Sequence, residues 1–140
     1  MTIFLDFDGT MVEHAYPLIG EINPYALDVV KRLQDNGHTI ILNTYRSNIN
    51  DGTLQAALNY LHHHPAITLR PITSTKEKLM PPPFLNEQGK VAIYITKGKD
   101  EYLFIDDMQA DIPLMPAFAT NTDMVDWRRV EKLLVEAGIL

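Results

Sequence analysis

The sequence contains no cysteine, which excludes disulfides, thiolate zinc sites and a cysteine nucleophile. The same absence fits a reducing compartment, so the expected location is cytoplasmic. Basic residues are few: 12 Lys and Arg stand against 18 Asp and Glu, for a net charge of −6. That balance leaves no electrostatic footprint for general nucleic-acid binding. No apolar run approaches the length of a membrane helix, so no membrane partner is expected. The opening residues lack the basic region and long apolar stretch of a signal peptide. Internal repeats and low-complexity segments are missing too, the nearest thing being Pro81-Pro82-Pro83.

What is present is a chain of 140 residues, 46% hydrophobic, which fits a single domain over residues 1–140 with a sizeable core. Its chemistry concentrates first in Ile3-Phe4-Leu5-Asp6-Phe7-Asp8-Gly9-Thr10. An apolar run meeting charge abruptly predicts a buried strand ending at a sheet edge. Side chains two apart on a strand point the same way, so Asp6 and Asp8 converge on one site. Gly9 permits the sharp turn that follows. Two carboxylates held close repel unless a cation or a shared proton compensates them. Oxygen ligands suit a hard ion such as Mg²⁺, which pairs one or two carboxylates with substrate phosphate. The functional reading is one aspartate as nucleophile and the other as acid/base. The competing reading is a solvated Asp-x-Asp-Gly turn.

Met11 to Ile22, with Pro17 and Gly20, predicts an excursion or small hairpin flap. Asn23 as N-cap and Pro24 at the first helical position start a helix with Ala26, Leu27, Val30 and Leu33 inward, closed by Gly37. His38 to Leu42 reads as a second strand, followed by Asn43-Thr44-Tyr45-Arg46-Ser47. Thr53 to His62 reads as a second helix, capped by Asn50, Asp51 or Thr53 and ended by Pro65. Ile67 to Ile72 predicts a third strand, at an edge because of Pro71. Residues 73 to 90 form a long proline-rich loop, the kind that often carries function. Val91 to Ile95 and Tyr102 to Ile105 are strand-like, joined through residues 96–101, and the second ends on Asp106-Asp107. Phe118 to Thr120 predicts a short strand. Thr122 or Asp123 caps a last helix with Trp127, Val130, Leu134 and Ala137 inward.

Strands alternating with helices imply an α/β fold with a parallel sheet. Ligands of such sheets sit outside the carboxyl ends of the strands. Asp6/Asp8, Thr44 and Asp106/Asp107 all fall at strand ends, which predicts one site holding four carboxylates and a hydroxyl.

These residues resemble the haloacid dehalogenase-like phosphohydrolases. The first motif of that superfamily matches Asp6 to Thr10. Its second matches Ile40 to Thr44, and its fourth matches Leu103 to Asp107. The resemblance implies a Rossmann-like three-layer sandwich with a mostly parallel central sheet. It implies a magnesium-dependent phosphatase acting through an aspartyl-phosphate. Asp6 would be the nucleophile, Asp8 the general acid/base, and Thr44 a phosphate contact. Magnesium would be held by Asp6, Asp8 (through its backbone carbonyl), Asp106 and Asp107. The backbone neighbours Gly9 and Thr10 would help neutralise the phosphoryl group.

A third-motif lysine is also required. Lys97 is the choice, with Lys99 beside it on the phosphate and Lys76 and Lys78 as alternatives; no spacing rule decides among them. Arg46 would add a phosphate contact or else lie on the surface. His14 reads as an exposed loop histidine, His62-His63-His64 as a solvated helix end, and Tyr45 and Trp127 as packing. The gaps between motifs hold no full cap domain, so the partner would be a phosphorylated small molecule or a macromolecular end, with a homo-oligomer possible. A noncatalytic phosphate-binding module of the same fold is the alternative. A receiver-like signalling domain is disfavoured by the order of its acids.

Overall fold

β1, Thr2–Leu5, is an apolar strand that lies at the middle of the sheet. It is followed by α1 (Ala26–Asp35), β2 (Thr39–Leu42), a 3₁₀ turn (Tyr45–Asn48), α2 (Thr53–His62) and β3 (Thr73–Ser74). Then come β4 (Ile93–Ile95), β5 (Glu101–Ile105), β6 (Leu114–Met115), β7 (Met124–Val125) and α3 (Trp127–Glu136). The computed structural model describes residues 1–80, 101–110 and 112–140, and the backbone alone of 93–95.

The sheet order is β3-β2-β1-β5-β4. β1 pairs in parallel with β2 and β5, and β2 in parallel with β3, while β4 runs antiparallel to β5. This is the expected α/β, Rossmann-like architecture with a mostly parallel sheet. Register follows the alternation of side chains. Ile3 and Leu5, Ile40 and Leu42, and Leu103 and Ile105 are all buried and join residues of all three helices in one core. On the other face Phe4 stacks on Phe104 at 5.0 Å and meets Tyr102 edge-on at 5.9 Å.

Four expected elements are corrected. Asn23 does not cap α1: its Nδ2 is buried and donates to the carbonyls of Thr10 and Val125. Tyr25 takes the N-cap position instead, with φ of 67°. Residues 67–72 are not a strand, because their backbone is claimed by side chains. Gln34 bonds both the N–H and the carbonyl of Arg70, and Ile72 N–H donates to His62 Nε2. Pairing to β2 therefore begins only at Thr73. Phe118 to Thr120 is not a strand, since the Glu13 carboxylate takes the N–H groups of Phe118 and Ala119. The short antiparallel pair is β6–β7 instead. Asp126, not Thr122 or Asp123, caps α3 by accepting from Arg129 N–H. The proline-rich residues 81–90, the first residues of the expected 91–95 strand and the connection at 96–100 lie outside the described residues.

The excursion after Gly9 is the expected flap. Val12 bridges both Asp8 and Ile22, and Glu13 N–H donates to the Glu21 carbonyl at 2.8 Å. No helix among the described residues is long and apolar enough to cross a membrane.

Candidate active site

Each parallel strand delivers a polar group just past its carboxyl end. Asp6 follows β1, Thr44 lies beyond β2, Lys78 lies beyond β3, and Asp106 and Asp107 follow β5. With Arg46, Asp8 and His14, these groups border a cavity of about 250 Å³ that excludes only Asp106 from its direct lining.

Asp6, Asp106 and Asp107 form the centre. One carboxylate oxygen from each lies within 4.8 Å of the others. Burial pushes the Asp6 carboxyl well above the usual range, and the neighbouring Asp106 adds to it. Burial also raises Asp106, against the pull of Lys78. Burial acts upward on Asp107 too, but hydrogen bonds from His14 and within the cluster outweigh it and leave that carboxyl low.

Lys78 is buried and set between two of these acids, with Nζ 3.2 Å from Asp6 Oδ1 and 2.9 Å from Asp106 Oδ2. Burial disfavours its charge, yet the two carboxylates prevail and raise its pKa. Asn43 aims it. The Asn43 side chain brackets the next residue, accepting from Leu79 N–H and donating to the Leu79 carbonyl. Asn48 Oδ1 accepts from Lys78 N–H at 2.8 Å. Among the described residues the lysine set against Asp6 is Lys78, one of the alternatives. Lys76 is exposed, and Lys97 and Lys99 lie outside the described residues. Lys78 is 28 residues before Asp106 in the chain and reaches it only through β3, so no local spacing marks it.

The Asp8 side chain, expected as acid/base rather than as a metal ligand, lies outside the cluster and faces Arg46, which donates from Nε to Oδ2 at 2.8 Å and from Nη2 to Oδ1 at 2.7 Å. Arg46 is itself 1% exposed and also donates to the carbonyls of Leu18 and Thr53. It is thus neither a surface arginine nor a free phosphate contact. It fixes Asp8 to the flap and to the start of α2.

Gly9 and Thr10 shape the site rather than face a ligand. Gly9 has φ of 79°, and its N–H closes the flap turn on Val12. A Cβ there would strike the His14 ring and the Asp107 carboxylate. Thr10 Oγ1 donates to Asp6 Oδ2 at 3.0 Å and accepts from Asp107 N–H at 3.2 Å, linking the two strand ends. Thr44 Oγ1 accepts from Arg46 N–H, which leaves its own proton available to the cavity.

Three readings of lesser residues change. His14 is not a detached loop histidine: its Nε2 lies 2.8 Å from Asp107 Oδ2, a contact that raises the imidazole's pKa. Tyr45 is half exposed at the cavity rather than packed. In the His62-His63-His64 run only His63 is exposed, and His62 accepts from Ile72 N–H. Trp127 is packing as expected, fully buried, and donates from Nε1 to the Thr10 carbonyl at 2.7 Å. His14 and Asn43 carry no sequence signal of their roles, since both act across long loops.

The three carboxylates fit a hard divalent cation by their chemistry. Asp106 Oδ2 is buried and has no partner beyond its ion pair with Lys78 at 2.9 Å, which leaves it lone-pair capacity for a second cation. Magnesium should therefore stabilise the fold. With a Kd of about 1 mM, 10 mM Mg²⁺ contributes about 1.4 kcal/mol, a rise in Tm of about 4 °C. A thermal scan checks this, and the shift should disappear in Asp107→Asn. An unchanged Tm in the wild type would remove the cation from the site.

No family model matches the sequence, and no curated protein matches it. A solved structure is similar over nearly the whole chain: a conserved protein coded by a locus of Bacteroides thetaiotaomicron. The two share 26% identity and a TM-score of 0.58 over 98% of this chain and 91% of that one.

Proposed function

We propose that this chain is a magnesium-dependent phosphatase that hydrolyses phosphomonoesters through an aspartyl-phosphate on Asp6, in the manner of the haloacid dehalogenase-like enzymes. The observation that carries this reading is Lys78, buried between Asp6 and Asp106 beside Asp107 at the carboxyl ends of parallel strands. A nucleophilic carboxylate needs positive charge around the phosphoryl group that it receives. It also needs a fixed direction of attack.

Thr10 and Lys78 each hold one oxygen of Asp6 and so fix its plane. In the first step an Asp6 oxygen forms a bond to phosphorus as the ester P–O bond breaks, and the leaving oxygen takes a proton from Asp8. In the second, water attacks phosphorus, Asp8 takes its proton, and the Asp6 carboxylate leaves with inorganic phosphate as the product. Lys78 and the Thr44 hydroxyl bear on the charge of the transferring oxygens. Magnesium, when bound by Asp6, Asp106 and Asp107, would neutralise phosphoryl charge. Asp8 serves as acid only when protonated, and Arg46 holds both of its oxygens, a pairing that favours the charged carboxylate.

That double hold on Asp8 is also the one feature that favours the alternative, a phosphate-binding module without turnover. Hydrolysis of p-nitrophenyl phosphate and a panel of phosphorylated metabolites separates the two. Turnover should require Mg²⁺ and fall about 10²–10³-fold in Lys78→Met, the scale of losing one charge-stabilising group. Mg²⁺-dependent phosphate binding with no turnover of any ester would favour the binding module. The cytoplasmic location is part of the same proposal, resting on the cysteine-free sequence.

A further inference from the structure

Above the acids, the cavity is walled by side chains that no step of the proposed reaction uses. Tyr16 comes from the flap, Tyr45 and Ile49 from the segment after β2, and Met108 from the turn after β5. All four are large and apolar, yet they remain 44%, 45%, 46% and 51% exposed. Apolar side chains gathered at the mouth of a concave site mark a surface that a ligand covers.

Both tyrosines present rings rather than hydroxyls. Tyr16 Oη donates to Asp51 Oδ2 at 3.1 Å, and Tyr45 Oη lies 3.4 Å from Met80 Sδ. The rings are held by cations beneath them. The Arg46 guanidinium is 5.2 Å from the Tyr16 ring centre, and Lys78 Nζ is 4.5 Å from that of Tyr45. Such contacts fix an aromatic wall before any ligand arrives.

The charges at the site are equally informative. Arg46 is committed to Asp8, Lys78 to Asp6 and Asp106, and His14 to Asp107. Among the described residues no cation lining the cavity is left to receive a second anionic group. Among the described side chains that line the cavity, the Thr44 hydroxyl is the donor left uncommitted, and the phosphoryl group would use it. A sugar would have to bury its hydroxyls against hydrocarbon, which costs free energy for each unpaired group. At about 250 Å³ the cavity is also below the usual range for larger ligands.

We infer that the site takes phosphomonoesters of small, apolar, ring-bearing alcohols of the benzyl type, and discriminates against sugar phosphates and bisphosphates. Its catalytic part rests on the phosphatase reading, whereas its recognition part does not.

Two measurements separate them. Calorimetry with Mg²⁺ compares benzylphosphonate with methylphosphonate, neither of which can be hydrolysed. Benzylphosphonate should bind about tenfold more tightly. In Tyr45→Ala and Ile49→Asn that preference should shrink to within about threefold, with methylphosphonate affinity retained. Equal affinity in the wild type, or no binding of either probe, would overturn the inference. The second measurement compares turnover of benzyl phosphate, glucose 6-phosphate and fructose 1,6-bisphosphate. All three are alkyl esters with poor leaving groups, so a difference reports recognition. kcat/KM should be about tenfold higher for benzyl phosphate, and a sugar phosphate used as well or better would sink the substrate assignment. Tight benzylphosphonate binding with no turnover of any ester would leave the pocket assignment standing and remove the phosphatase reading alone.

Discussion

Asp6→Asn is expected to remove turnover by about 10⁴-fold or more while making the protein more stable. The loss follows from the proposed role of Asp6 as the residue whose oxygen accepts the phosphoryl group. An amide is a poor nucleophile, and removing a nucleophile costs most of the catalysis that depends on it. The gain has a separate cause. Asp6 is buried with Asp106 and Asp107, and Lys78 offsets only part of their mutual repulsion. An asparagine keeps the shape but carries no charge; its single carbonyl oxygen can still accept from Lys78, while its amide on the Thr10 side donates instead. Relief of that repulsion should contribute about 1 kcal/mol, within the range of single stabilising changes, or about 3 °C in Tm.

The pH dependence gives the same prediction a sign. Burial and Asp106 raise the Asp6 pKa in the folded state above its unfolded value. The folded protein therefore binds more protons than the unfolded one in that window, and stability falls as pH rises. The loss begins above the ordinary aspartate range and is complete once pH passes the raised value. Asp107 has a lowered carboxyl and opposes this at lower pH. Urea titrations of the metal-free protein across this range should show a shallower decline in Asp6→Asn than in the wild type. A variant that retains activity, or that is less stable at neutral pH, would contradict the placement of Asp6.

The carboxylates were legible because they sit next to long apolar runs in sequence. Asp6, Asp106 and Asp107 each follow a buried strand, and the sheet brings those strand ends together as neighbours. The helices were legible from their spacing, since Leu33, Leu61 and Leu134 are buried as their stripes require. What sequence could not rank was any choice made by contacts across the fold. Lys78 is one of several lysines in polar stretches, and only the Asn43 and Asn48 side chains direct it at Asp6. The missing strand at 67–72 has the same origin: Gln34, on α1, outcompetes β2 for the Arg70 backbone. Propensity and pattern describe local preference, and a buried side chain from elsewhere can override it.

Arg46 is the strongest case of that kind, and replacing it with methionine is expected to destabilise the fold by about 3–5 kcal/mol. Read as sequence it is a charged residue after a strand, suited to phosphate or to solvent. In the fold its guanidinium is 1% exposed and lies 5.0 Å from the Phe7 ring centre, with five hydrogen-bonding N–H groups in a fixed fork. Two bind Asp8, and others reach the carbonyls of Leu18 and Thr53. Methionine fills a similar volume but leaves the Asp8 carboxylate without its cation and two carbonyls without donors. Breaking a buried pair from one side is far costlier than removing both partners. Arg46→Met combined with Asp8→Asn should therefore recover about 1–3 kcal/mol of the loss, a coupling typical of residues in direct contact. Arg46→Lys should recover little, because a single ammonium cannot reproduce the two-pronged contact. Against a total stability of about 5–15 kcal/mol, the single change should be plain in urea unfolding at neutral pH. A residue held mainly for phosphate would behave in the opposite way, with a raised KM and an unchanged unfolding midpoint. That outcome would return Arg46 to the substrate and free Asp8 from the flap.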